Sequence, residues 1–161
     1  MNRVLAHVGL GSNLDGPAMQ VERAIVELAA MPSTRLVRRS RLFRTPPWGL
    51  SQQPEFVNAV AEVETGLAPI ELLGELLAIE RRGGRVRDGV RWGPRSIDLD
   101  LLLYGARSGR EPGLELPHPR MHERAFVLVP LSDLDPDLQI PGRGRVGDLA
   151  AAIGAGGCEP L

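Results

Sequence analysis

The sequence predicts an α+β fold of the ferredoxin-like kind: a βαββαβ core, an antiparallel sheet with helices packed on it, and long loops between the elements. Three observations predict it. Apolar residues alternate with period two over residues 56–64, the mark of a strand. They recur at helical spacing in two stretches, each opened by a proline, at Pro17 and Pro69. The elements then follow one another as strand, helix, strand, strand, helix, strand. With 161 residues the chain fits a single domain spanning 1–161.

The first strand is expected over residues 3–10, ending at GLGSN. Pro17 sits where a first helical turn tolerates a missing N–H, and Ala18, Val21, Ile25, Leu28 and Ala29 share a face until Pro32 stops the helix. Residues 35–43 read as the second strand, which leads into a Pro- and Gly-rich loop, RTPPWGLSQQP. In the third strand Val57, Ala59, Ala61 and Val63 form the core face and Phe56, Asn58, Val60 and Glu62 the other. Leu72, Leu73, Leu76 and Ile79 make the stripe of the second helix, which Gly83 and Gly84 end. The fourth strand is expected over 96–104. Beyond it the pattern weakens to a short helix around 121–131, a turn at Asp135-Pro136 and a final helix near 146–153.

Composition narrows the chemistry. A formal net charge of −1 provides no global field to recruit nucleic acid or anionic lipid. The nineteen basic residues are all arginine, with no lysine, which excludes a lysine-containing P-loop, a Schiff-base lysine and a kinase-type strand lysine. Codon bias would produce the same swap, and the restriction on mechanism holds either way. Phosphate, if handled, must be held by arginine, backbone amides or a metal. The single cysteine, Cys158, excludes an internal disulfide framework and a multi-cysteine zinc site. The N-terminal apolar run is too short for a signal peptide, and no stretch of about 18 apolar residues occurs. A soluble, cytoplasmic protein is expected.

The stretch RWGPRSIDLDLLLYG holds the main site. Asp98 and Asp100 stand two apart on an expected strand, so they share a face roughly 6.5–7 Å apart along the backbone, while Ile97, Leu99 and Leu101 share the other. A bare D-x-D is ordinarily a strand's solvent face. Here LLLYG continues apolar on both faces, as in a central strand covered on two sides. Carboxylates at the mouth of such a strand need a counter-charge, because burying them unpaired costs several kcal/mol each. Arg81, Arg82, Arg85, Arg87, Arg91 and Arg95 supply more cation than two aspartates require. Surplus cation beside paired carboxylates suits a magnesium-bound polyphosphate, with magnesium taking one or two carboxylates and filling its shell with phosphate oxygens and water. Four glycines within RRGGRVRDGVRWGP make that loop a candidate lid.

Other positions carry weaker signals. Asn58 offers donors and an acceptor in one plane, suited to the edge of a heterocycle, and Phe56 could stack on its face. His118 and His122 lie four apart, yet Pro117 and Pro119 put His118 in a loop, so a place beside phosphate suits it better than zinc. GLGSN lacks the third glycine of a dinucleotide fingerprint.

With these residues in view, the chain resembles the 6-hydroxymethyl-7,8-dihydropterin pyrophosphokinase family, through GLGSNL, FRTPPWG, FVNAVAEVET, RWGPRSIDLDLLLYG and LPHPRMHERAFVLVPL, over about residues 4–135. The resemblance implies transfer of diphosphate from ATP, the co-substrate, to a pterin alcohol in folate biosynthesis. It implies that Asp98 and Asp100 hold two Mg2+ ions and that Arg85 and Arg95 are catalytic cations. Glu80, Arg87, Trp92, Leu101, His118 and Arg124 would join Arg85 and Arg95 around the nucleotide. Thr45, Pro46, Trp48 and Asn58 would line the pterin pocket, with Phe56 and Phe126 sandwiching the ring. Asp88, Leu77, Gly113 and Glu115 depart from the family's pattern, and the tail from Val146 onward matches no motif.

Two rival readings of the same residues are a metal-dependent phosphohydrolase or nuclease built on the D-x-D, and an RNA-binding ferredoxin-like module. Against the second, such sheets stack bases on exposed aromatics, and this chain has few aromatics and no matching strand motif. Small-molecule substrates, no nucleic acid, no membrane and a monomeric state are expected.

Overall fold

The computed structural model describes residues 3–14, 16–46, 54–84 and 97–161. The first half runs β1 (Val4–Ser12), α1 (Pro17–Ala29), β2 (Thr34–Arg39), β3 (Phe43–Thr45), β4 (Phe56–Thr65), α2 (Pro69–Gly84) and β5 (Asp98–Tyr104). Then follow the hairpin β6 (Gly109–Glu111) and β7 (Leu114–Leu116), a 3-10 turn at Met121–Glu123 and α3 (Ala125–Leu134). A second hairpin, β8 (Gln139–Ile140) with β9 (Gly144–Arg145), precedes α4 (Val146–Ile153) and β10 (Glu159–Pro160). Among the described residues no helix is long and apolar enough to cross a membrane.

The main sheet is antiparallel in the order β10-β3-β4-β1-β5, with β2 also paired to β4. The expected strand over 35–43 is thus two strands that share β4. Successive arginines, Arg38 and Arg39, then Arg41, interrupt the alternation, and Ser40 marks the break. Its N–H donates to the Val60 carbonyl at 2.8 Å and its Oγ accepts the Val60 N–H at 2.9 Å, so a side chain takes over a ladder acceptor.

Two helical layers cover the sheet. The α1 stripe of Val21, Ala24, Ile25 and Leu28 and the α2 stripe of Leu72, Leu76 and Ile79 bury against Ala6, Val8 and Leu10, the odd-numbered apolar face of β4, and Leu99 and Leu101. The opposite face packs Val60, Leu102 and Leu103 under Val127, Leu128, Leu131 and Leu134 of α3, with Val146 of α4. On the second face of β4, expected to lie outside the core, Asn58, Val60 and Glu62 are therefore buried. The reason is α3, which is apolar around most of its surface and tolerates Pro130 inside it.

Among the described residues β5 is a sheet edge and not the central strand that its apolar run suggests. Its faces are nonetheless both covered. A bulge opposite His7 and Val8 turns Leu102 and Leu103 alike toward α3. The open edge is met by the chain after β7, where the His118 N–H donates to the Leu102 carbonyl at 2.9 Å. Buried apolar residues on that edge strand reflect this local cover.

Candidate active site

α3 covers only part of its sheet face, and the uncovered part is the floor of a cavity of about 700 Å³. Register builds that floor. Asn58 of β4 lies opposite Gly11 of β1, and Gly11 in turn lies opposite Asp98 of β5; Val60, Gly9 and Asp100 form the next row. The middle strand thus contributes no side chain between an amide on one side and two carboxylates on the other. At Gly11 the omission is steric, since a Cβ would stand 2.6 Å from Asn58 Oδ1.

Thr45, Pro46, Phe56, Asn58 and Phe126 all line this cavity, together with Glu80, Asp98, Asp100 and Arg124. Asn58 is 7% exposed and donates one N–H to Thr45 Oγ1 at 2.7 Å, which fixes the amide plane. Phe56 comes from β4 and Phe126 from the first turn of α3, so the two rings reach the cavity from separate layers. The Arg124 guanidinium sits 5.5 Å from the centre of the Phe126 ring, a cation–π contact that brings positive charge to the cavity wall. Arg124 therefore stands with the expected pterin residues.

Glu80 accepts the Leu99 N–H at 2.8 Å through Oε2, so the end of α2 clasps the start of β5 between the two aspartates. Asp98 and Asp100 are exposed while Leu99 and Leu101 are buried, as alternation requires.

A second cleft of about 570 Å³ lies on the far side of Asp100 and is lined by Leu73, Leu101, Glu115 and His118 among others. Asp100 lines both cavities. His118 Nδ1 accepts the Arg120 N–H at 3.2 Å, which leaves Nε2 as the protonated nitrogen of the neutral ring. Burial holds the His118 pKa below its ordinary value; the nearby Asp100 carboxylate opposes this and Arg124 adds to it. Arg85, Arg87, Trp92, Arg95 and Trp48 lie outside the described residues.

The donor set suits a hard divalent cation shared with a ligand. Among the described residues no group of three or more His, Cys, Asp or Glu side chains could hold a metal. Two exposed carboxylates on one strand face match magnesium, which keeps several sites for water and phosphate oxygens.

Gly9, Gly11, Arg120, Glu123 and Val127 line the first cavity without having been expected there. Alternation could have found Gly9 and Gly11, which share a face with His7. Arg120 precedes a 3-10 turn and Glu123 ends it, and so short a turn has no period to read.

The 7,8-dihydro-6-hydroxymethylpterin-pyrophosphokinase (HPPK) family matches residues 7–136. The chain belongs to this family. Relatives named 2-amino-4-hydroxy-6-hydroxymethyldihydropteridine pyrophosphokinase include one from Pseudomonas aeruginosa, 48% identical over 96% of this chain and 95% of its own length. Another, from Methylorubrum extorquens, is 46% identical over 96% of each. Among solved structures, wild-type HPPK-DHPS of Plasmodium falciparum superposes with a TM-score of 0.74 at 13% identity. That match covers 94% of this chain and 43% of the longer one, and supports the α+β fold. The pyrophosphokinase family match runs from His7 in β1 to just past α3, so it spans every element that lines the two cavities.

Proposed function

We propose that the chain transfers the terminal diphosphate of ATP to the hydroxymethyl group of 6-hydroxymethyl-7,8-dihydropterin, giving AMP and the pterin diphosphate in tetrahydrofolate biosynthesis. The observation that carries this reading is the position of Asp100 on both cavities: two substrates bound side by side would meet at one carboxylate pair. Membership of the pyrophosphokinase family agrees with it.

In this reading the first cavity takes the pterin. Phe56 and Phe126 flank the ring, and Asn58, held by Thr45, presents its amide to the heterocycle edge. The second cleft takes the nucleotide, with Leu101 and Leu73 as apolar contacts and His118 Nε2–H directed to phosphate. Asp98 and Asp100 would hold two Mg2+ ions, which when bound neutralise phosphate charge and acidify the hydroxyl. Arg124 adds positive charge at the junction, and Arg85 and Arg95 are assigned to the transferred group. Little covalent chemistry falls to the side chains; holding the hydroxyl in line with the β-phosphorus and excluding water supply most of the rate. β10 ties the tail to β3, which supports one domain over 1–161. A cytoplasmic location fits the free, buried Cys158.

Phosphorus NMR of the protein with ATP, magnesium and the hydroxymethyldihydropterin tests the reading. AMP with a diphosphorylated pterin is expected. Free phosphate or pyrophosphate as the only new species would point to a hydrolase and overturn it.

A further inference from the structure

We propose that residues 155–161 form a strap that positions the walls of the first cavity, with Gly156 and Gly157 acting as positioning residues for pterin binding through Ala125 and Pro46. Three contacts carry the inference. β10 pairs with β3, Glu159 opposite Arg44 and Pro160 opposite Phe43, and the Leu161 N–H donates to the Leu42 carbonyl at 3.0 Å. The strap is thereby zipped along the strand that carries Thr45 and leads into Pro46. At Gly157 a Cβ would stand 2.9 Å from Pro46 Cγ, and at Gly156 one would stand 2.8 Å from Ala125 Cβ. Both glycines have positive φ, +80° and +58°, so the bare backbone is pressed against each neighbour in a conformation that side chains rarely adopt.

Pro46 lines the cavity from the sheet side. Ala125 immediately precedes Phe126, which lines it from α3. One short segment therefore touches the supports of both walls from outside the cavity. Cys158 is buried beside these contacts, its N–H donating to the Ala155 carbonyl at 2.9 Å, and it does not line the cavity. A docked strap sets the spacing of the walls. By reciprocity of binding free energies, a ligand that requires that spacing must in turn hold the strap docked.

The proposal rests on the pterin reading of the first cavity. Cys158 is the only cysteine, so alkylation by iodoacetamide reports strap opening without ambiguity. Burial also pushes its thiol pKa up, which slows reaction while the strap is docked. Saturating hydroxymethyldihydropterin should slow alkylation of the wild-type protein about tenfold, with binding followed separately by pterin fluorescence. Gly157→Ala should speed alkylation and raise the pterin KM about tenfold, with kcat and the ATP KM within twofold. Glu159→Ala, exposed on the same strap, should change neither.

Pterin that binds without slowing alkylation overturns the strap and leaves the cavity reading standing. So does a Gly157→Ala protein whose pterin KM is unchanged while its thiol reacts faster, or one whose thiol is as slow as the wild type's. Pterin that does not bind the wild-type protein overturns the cavity reading, and the strap with it. Should Gly157→Ala fail to fold, the wild-type protection measurement decides.

Discussion

At Gly11 the floor of the first cavity has no room for one methyl group. A Cβ there would press on Asn58 Oδ1, and the amide could escape only by rotating against its bond to Thr45. Gly11→Ala should therefore raise the pterin KM about tenfold, or about 1.4 kcal/mol, with kcat little changed. An unchanged KM would mean that Asn58 does not read the pterin. Phe126→Ala removes a ring from the opposite wall and should likewise raise the pterin KM while sparing the ATP KM in steady-state kinetics. At the two carboxylates the expected outcome differs in kind. Asp98→Ala or Asp100→Ala should cost several orders of magnitude in turnover with the melting temperature nearly unchanged, because both side chains are exposed and carry no core packing. Normal turnover in either variant would contradict the metal assignment.

Elements differ in how plainly they were written. β1, β4, α1 and α2 were legible because each is long enough to show its period, in β4 through small apolar residues on one face even though both faces are buried. α3 was harder. Pro130 argues against a helix interior, and the helix expected over 121–131 resolves into a 3-10 turn and Ala125–Leu134, buried widely enough to blur any stripe. Leu128 is fully buried in the layer that α3 shares with β4 and β5. Leu128→Ala should accordingly cost about 2–5 kcal/mol in urea unfolding, with the slope unchanged. β6 to β10 are two or three residues each, below the length at which alternation is a signal. The D-x-D and its alternation were readable in the sequence, since they depend on one strand alone. The pairing of Asn58 and Asp98 across Gly11 was not, since it depends on a register among three distant segments.

Across the whole molecule, a chain of charge, buried at His7 and Glu62 and open to solvent at Arg38, fastens four elements. His7 Nε2 of β1 donates to Glu62 Oε2 of β4 at 2.8 Å, and Arg38 of β2 donates to both Glu62 oxygens at 3.0 and 3.1 Å. Arg38 continues to the Leu134 carbonyl and, at 3.4 Å, to Asp135 just beyond α3. Burial holds the His7 pKa below its ordinary 6.5, although the Glu62 carboxylate pulls it up. Burial alone would raise Glu62, but the hydrogen bonds from Arg38 and His7 outweigh it and hold the carboxyl below its ordinary value. The sign follows for both groups. As pH falls through 6.5 the unfolded chain protonates His7 before the folded one does, so stability declines; Glu62 adds a further loss as pH falls below 4.5 through its folded value. The urea midpoint should be lower at pH 5 than at pH 7, and His7→Gln, which keeps an N–H donor, should flatten that difference. An equal drop in the variant would place the titrating group elsewhere. Arg38→Met should cost about 1–3 kcal/mol by leaving a buried carboxylate short of donors.

Because Asp100 borders two adjoining hollows, a single compound could occupy both at once. If a pterin-like head and a nucleoside-like tail were joined by a tether of the right span, the second half would engage from an effective concentration set by the tether, with no new contact needed. Shortening or lengthening the tether should then produce a sharp optimum in inhibition, centred on the width of one aspartate.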